Sequence, residues 1–243
     1  MNISLKNMNY VIRELIYLCG GISKMDKKTN DSANYTRKEH DKLRTIIEAI
    51  TKLNYITPDD IPDIPLYMDQ VTTFMDEKLS SYKRSDDDKI LTKTMINNYT
   101  KNNLLPPPDK KKYSKNHMLL LIFIYYFKNF MSISDIQDIF APLSDRFFDD
   151  NSELDLEDIY KYVFDLEYDS MDIFMKDVIK KYKLSRNAFP KQENEEDNEL
   201  LSTFGFICML SFDVYVKKLI IEKLIDTELK DEKYNNAKNN KKK

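Results

Sequence analysis

Thr94, Asn97, Asn98 and Lys101 fall within two turns of a helix expected over 92–102, and Lys110-Lys111-Lys112-Tyr113 follow it as a short basic loop or tiny hairpin. Asparagine can pair bidentately with adenine, while lysine and threonine can meet phosphate, so these residue types suit duplex DNA. Lysines on a loop would bind backbone phosphates and make the affinity fall with salt. The candidate set is Thr92, Lys93, Thr94, Asn97, Asn98, Tyr99, Lys101, Lys110, Lys111, Lys112, Tyr113 and Lys115. Each alone has a plainer use, since an asparagine beside a helix start is commonly a cap or turn residue.

Other chemistry lacks its residues. With 3 glycines, neither G-x-G-x-x-G nor a Walker A loop can be written. Tight primed hairpins, which favour glycine at positive φ, are disfavoured as well. His40, His117, Cys19 and Cys208 form no C-x-x-C, H-x-x-x-H or H-E-x-x-H, so no metal and no cofactor is expected. Each cysteine lacks an electropositive neighbour in sequence and reads as a buried, reduced thiol. Adjacent acids such as Glu157-Asp158 point roughly 100° apart on a helix and make no catalytic dyad. His117, beside Lys115 and Tyr113 with no nucleophile, reads as a helix-start or packing residue. The expectation is therefore a protein that is not an enzyme. The longest apolar run, Met118 to Phe127, is half of the ~20 residues a bilayer span needs. Arg13 and Glu14 interrupt the N-terminal apolar stretch, and no cleavage site follows it. A soluble, cytoplasmic protein without membrane contact is expected.

The elements that must position the basic residues are readable from pattern. The 243 residues carry a net charge of −3, but Lys89 to Lys128 holds eight lysines against the single Asp109, a net +7. Asn129 to Ser170 carries −10, and Asp59 to Asp88 is acidic too. A basic island between acidic flanks suits a chain that meets a polyanion with one part only, although solvated faces also produce charge runs. Helices are expected over about 38–53, 66–82, 92–102 (with Thr92 as N-cap), 115–130 (capped by Ser114), a short one from Ser134 through Phe140, 155–183 and 200–229. Pro106-Pro107-Pro108 ends the 92–102 helix, and Leu104-Leu105 would pack its exit. Residues 1–36 open with an apolar-periodic segment, and 230–243 form a polar, disordered tail. The fold class is mainly all-α: a winged helix-turn-helix with a tiny β wing, plus a C-terminal helical module. The domain boundaries are 1–58 for an N-terminal helical extension, 59–145 for the winged helix-turn-helix, 146–229 for a dimerisation or sensing module, and 230–243 for the tail.

Leu91-Thr92-Lys93-Thr94-Met95-Ile96-Asn97-Asn98-Tyr99, Pro106-Pro107 and Lys110-Lys111-Lys112-Tyr113-Ser114-Lys115-Asn116-His117 resemble the bacterial family known as domain of unknown function 1836. Asp63 to Val71 upstream and Ser132 to Ile136 downstream resemble the same family, over roughly residues 45–145 in all. The resemblance implies a cytoplasmic protein of low-GC Gram-positive bacteria. More distantly, the block is similar to the DNA-binding head of MerR-type regulators, whose second helix is followed by Leu-Leu-Pro, a wing and Tyr-Ser. Leu104-Leu105-Pro106 and Tyr113-Ser114 match that order. Asn97 stands about where those heads carry arginine, Asn98 replaces the first tyrosine, and Tyr99 keeps its place.

Together these readings lead to a DNA-binding transcriptional regulator, with helix 92–102 in the major groove and loop 109–113 on phosphates. Its expected partners are double-stranded DNA, a second copy of the chain in a homodimer, and a small-molecule or protein effector at the C-terminal module. The apolar stripe Leu200, Leu201, Phe204, Ile207, Cys208, Leu210, Val214 and Leu219 would serve the dimer or an ordinary internal core. The alternative is a non-catalytic interaction or adaptor module that has the winged-helix shape and no longer binds DNA.

Overall fold

The computed structural model describes residues 45–47, 50, 55–85, 87–148 and 154–230, the side chain of Tyr168 excepted. The protein is mainly α. A 3-10 turn at Pro58–Asp60 leads to β1 (Leu66–Tyr67) and α1 (Met68–Leu79). There follow α2 (Lys93–Lys101), β2 (Lys112–Tyr113), α3 (Lys115–Phe127), α4 (Ile133–Phe147), α5 (Leu156–Arg186) and α6 (Glu195–Leu224). The last helix runs on into a π-helical turn at Ile225–Leu229. The strands β1 and β2 pair antiparallel, Leu66 opposite Tyr113 and Tyr67 opposite Lys112.

The chain divides into two compact units, Met1–Tyr55 with Leu166–Lys180, and Ile56–Asp165 with Lys181–Lys243. In the first, the described part is chiefly the middle of α5, where Met175 and Ile179 lie one turn apart and are buried. The second holds the candidate site, and α3 is its centre. Met118 through Ile124 are buried without interruption because this helix is apolar on every side. Val71, Met75 and Leu79 of α1, Ile96 and Tyr99 of α2, and Ile136 and Phe140 of α4 join the same core. Leu156 and Tyr160 of α5 and Ile225 beyond α6 belong to it as well. The Phe123 ring lies 5.1 Å from Tyr160, 5.9 Å from Phe140 and 5.9 Å from Phe164. The buried Tyr160 hydroxyl donates to the Ile56 carbonyl at 2.6 Å, and burial pushes its pKa far above the ordinary tyrosine value.

Several expectations change. Helix α4 does not stop at Phe140; it continues to Phe147 with Pro142 inside it. Proline forfeits one backbone hydrogen bond there, but Phe140 and Ile136 already anchor the helix in the core. Its N-cap is Ser132, whose hydroxyl accepts from the Asp135 N–H at 3.1 Å, and not Ser134. The domain boundary expected between 145 and 146 therefore falls inside a helix, and the C-terminal elements contribute to the central core. Lys230 closes that end, with its ammonium 3.4 Å from Asp135, 3.6 Å from Asp138 and 3.1 Å from Asp226. Cys208 is exposed rather than buried, because it lies on a face of α6 that no described element covers. For the same reason the stripe on α6 is not an internal core: Leu200, Phe204, Ile207, Val214 and Leu219 are exposed. Among the described residues no helix is long and apolar enough to cross a membrane. Of the helix expected over 38–53, residues 45–47 and 50 are helical. The segment 1–36, Cys19, His40 and the tail beyond residue 230 lie outside the described residues.

Candidate nucleic-acid interface

Helix α2 is specified at both ends. Thr92 is extended at φ −97° and ψ 158°, and its hydroxyl accepts from the Met95 N–H at 3.2 Å. At the other end Asn103 takes φ 55°, the left-handed conformation that asparagine tolerates. The Asn103 N–H reaches the Thr100 carbonyl at 3.1 Å, and the Leu104 N–H reaches the Tyr99 carbonyl at 2.8 Å. That is the Schellman pattern, and the buried Leu104 and Leu105 hold it before Pro106 prevents continuation. Thr92→Ala is expected to cost about 1 kcal/mol, read as a lower thermal midpoint with unchanged helical circular dichroism.

Fixing both ends fixes which side chains face out. Ile96 and Tyr99 point into the core and Met95 is half-buried, while Thr94, Asn97, Asn98 and Lys101 are exposed. Their spacing of three, one and three residues places all four on one face. No carboxylate interrupts α2.

The basic loop is a two-residue hairpin turn between Asp109 and Lys112, closed by the Lys112 N–H to the Asp109 carbonyl at 2.8 Å. Its central residues, Lys110 at φ 47° and Lys111 at φ 68°, both have positive φ, the signature of a type I′ turn. The glycine shortage argued against such turns; here two lysines make one. Left-handed backbone costs a non-glycine residue roughly 1–2 kcal/mol, so the turn carries two exposed cations at the expense of stability. Replacing Lys110-Lys111 with Asn-Gly is expected to stabilise the protein by about 1–2 kcal/mol in denaturant unfolding. The same change should weaken binding to a polyanion.

Two pairings tie turn and helix to one short stretch of chain. The Lys112 ammonium sits 5.2 Å from the Tyr67 ring centroid, and Lys93 forms an ion pair with Asp69. The turn and the start of α2 are thus both held within the Tyr67–Asp69 segment. Neither Tyr67 nor Asp69 was readable as a positioning residue, because the pairs join positions 24 to 45 residues apart with no local pattern.

The remaining candidates have other occupations. Tyr99 and Tyr113 are core residues, 6% and 3% exposed, and burial raises the pKa of both phenols. The Lys115 ammonium lies 2.9 Å from Glu157 and 3.3 Å from Asp63. Burial works against its charge, but the hydrogen bonds to Glu157 and Asp63 outweigh it and hold the lysine above its ordinary pKa. The structure therefore brings together Thr94, Asn97, Asn98 and Lys101 on one helix face. Lys93 and the Lys110–Lys112 turn flank the anchor, Thr92 caps, and Tyr99, Tyr113 and Lys115 face inward or are paired. Among the described residues no three His, Cys, Asp or Glu side chains could hold a metal ion.

His117 ties the turn's exit to α3. Its Nδ1 accepts from the Ser114 N–H at 3.0 Å and lies 2.8 Å from the Ser114 hydroxyl, so the ring is neutral with its proton on Nε2. Burial lowers its pKa from 6.5, against the opposing pull of the Pro107 and Pro106 carbonyls. The unfolded chain takes up a proton near pH 6.5 that the folded ring refuses. Stability should therefore fall as pH drops through about 6.5 and level off below the folded pKa. Chemical denaturation at pH 7.5 and 5.5 reads this slope, and His117→Gln, which keeps the capping-box geometry, should flatten it.

This arrangement can be set beside known proteins. Residues 56–163 match the family model DUF1836, a domain of unknown function. No curated protein and no solved structure matches the chain. The matched segment opens on Ile56, whose carbonyl holds the Tyr160 hydroxyl near its other end. One buried hydrogen bond thus ties the matched span close to both ends. The span contains α1 to α4, both strands and every candidate contact residue, and leaves α6 outside.

Proposed function

We propose that the DUF1836 segment is a winged helix-turn-helix that binds double-stranded DNA and serves a cytoplasmic transcriptional regulator. Helix α2 enters the major groove, where Asn97 and Asn98 read base edges and Thr94 and Lys101 meet the flanking backbone. The Lys110–Lys112 turn is the wing and lies on neighbouring phosphates. The observation that carries this reading is the exposed face of Thr94, Asn97, Asn98 and Lys101, free of carboxylates and flanked by a strained turn of exposed lysines. A turn that accepts positive φ at two lysines, where Asn-Gly would be relaxed, is explained by what those ammonium groups touch.

Fluorescence anisotropy with a duplex from the gene's own upstream region tests it. Affinity should fall steeply between 50 and 200 mM salt, as phosphate contacts require. A second reading, an adaptor that kept this shape without DNA, draws on Lys93 and Lys115 being engaged by carboxylates. Absence of salt-dependent binding to any duplex would leave the adaptor standing and remove the regulator.

A further inference from the structure

Helix α6 packs one face within its own unit and leaves the opposite face exposed, together with Phe212 and Ile220 at its margins. Ser202 is buried, and Gly205, Phe206, Met209, Asp213 and Val216 are at least half-covered. On that side Phe206 meets Tyr182 at 5.4 Å, and Asp213 pairs with Lys181 at 2.5 Å. A Cβ at Gly205 would stand 2.9 Å from the Phe189 ring, so glycine lets the chain after α5 lie close against the helix. No described element covers the opposite side. Leu200 is 66% exposed, Phe204 58%, Ile207 55% and Val214 61%.

The exposed positions 200, 204, 207, 211 and 214, with the half-buried Lys218 after them, have a regular order. Residues 200, 204, 207, 211, 214 and 218 are separated by four and three alternately, which is the a/d seam of a coiled coil. The positions that pack within the unit fall at b, c and f, on the far side of the helix. Leu200, Phe204, Ile207 and Val214, with Tyr215 beside them, offer on the order of 500 Å² of apolar surface. Two such faces brought together approach the ~1,200 Å² at which stable interfaces begin.

We propose that this face binds a second copy of the chain, with the two α6 helices antiparallel about a two-fold axis near Met209. Antiparallel pairing sets each a position against a d position of the partner helix. Phe204 then lies opposite Val214, Ile207 opposite Ser211, and Leu200 opposite Lys218. Large residues meet small ones, and the Lys218 stem covers Leu200. A parallel pair would stack serine on serine and lysine on lysine. Charge points the same way. The first turn carries Glu195, Glu196 and Asp197, while Lys217, Lys218 and Lys223 lie in the last two turns. Antiparallel packing joins acidic end to basic end twice, as an isologous interface requires, whereas parallel packing would join like to like. This surface lies outside the DNA-binding segment, so the inference stands independently of the DNA reading.

Light scattering on the full chain tests it, and a mass of twice 28.9 kDa is expected. Phe204→Glu with Ile207→Glu should raise the dimer dissociation constant at least ~100-fold, with far-UV circular dichroism unchanged since both side chains are exposed. Direction is tested by bismaleimide cross-linking, with Cys19 and Cys208 replaced by serine. Leu200→Cys chains should link to Lys218→Cys chains but not to each other, because antiparallel packing separates the two copies of position 200 by about 27 Å along the helix. A monomer at tens of micromolar, whether residues 1–55 cover the face or solvent does, would overturn the proposal. A dimer that survives the double glutamate change, or Leu200→Cys chains that link to one another, would overturn it equally.

Discussion

Changing Lys110, Lys111 and Lys112 together to alanine should lower affinity for duplex DNA on the order of 100-fold at 0.1 M salt. It should also make the slope of log affinity against log salt shallower by about 2.7, since each lost phosphate contact removes ~0.9. The size of the effect follows from where these lysines stand. All three are exposed, Lys112 lies over Tyr67 in a cation–π contact, and Lys110 and Lys111 are fixed by a tight turn. A preformed cation loses little conformational freedom on meeting a phosphate. Lys115→Ala makes the contrast, because its ammonium is engaged by Glu157 and Asp63. That change should leave the salt slope nearly unaltered and act on stability. Salt-titrated anisotropy on the two variants separates an exposed basic turn from a general loss of positive charge.

The second large effect concerns the core that fixes the site. Phe140→Ala should cost about 3–5 kcal/mol. Its ring stacks on Phe127 at 5.6 Å and lies 5.9 Å from Phe123, and the α3 residues beside it are buried throughout. Tyr160→Phe should cost less, about 1–3 kcal/mol, as it removes only the hydroxyl that satisfies the Ile56 carbonyl. Differential unfolding in urea measures both. The folded fraction of each variant should bind DNA as the unaltered chain does, because neither residue reaches the α2 face. Equal costs for the two changes would mean that the hydrogen bond tying the matched span close to both ends matters as much as the central packing.

How far the sequence could be read depended on whether the deciding interaction was local. Thr92 as a cap, the stop before Pro106, the burial of Leu104 and Leu105, and the apolar α3 were all legible from neighbours within a few residues. Strand β1 was not: Leu66 and Tyr67 look like the start of α1, and only pairing with Lys112 and Tyr113 makes them extended. The helix expected to end at Phe140 runs on through Pro142 to Phe147, because anchoring by Phe140 outweighs one lost hydrogen bond. The turn at Lys110 and Lys111 defeated the glycine argument, which holds for relaxed turns and not for strained ones. The outward face of α2 was legible as a set of residue types. The inward orientation of Tyr99 and Tyr113 and the pairing of Lys115 needed the tertiary structure.

The claim that α2 and the lysine turn form one DNA-contacting surface is tested most directly by backbone amide chemical shifts on the full chain, recorded with and without duplex DNA. Shifts should concentrate at Thr94, Asn97, Asn98, Lys101 and the 109–112 turn, and should recede as salt is raised. Shifts confined to α6, or no change at saturating duplex, would mean that α2 and the lysine turn do not meet DNA.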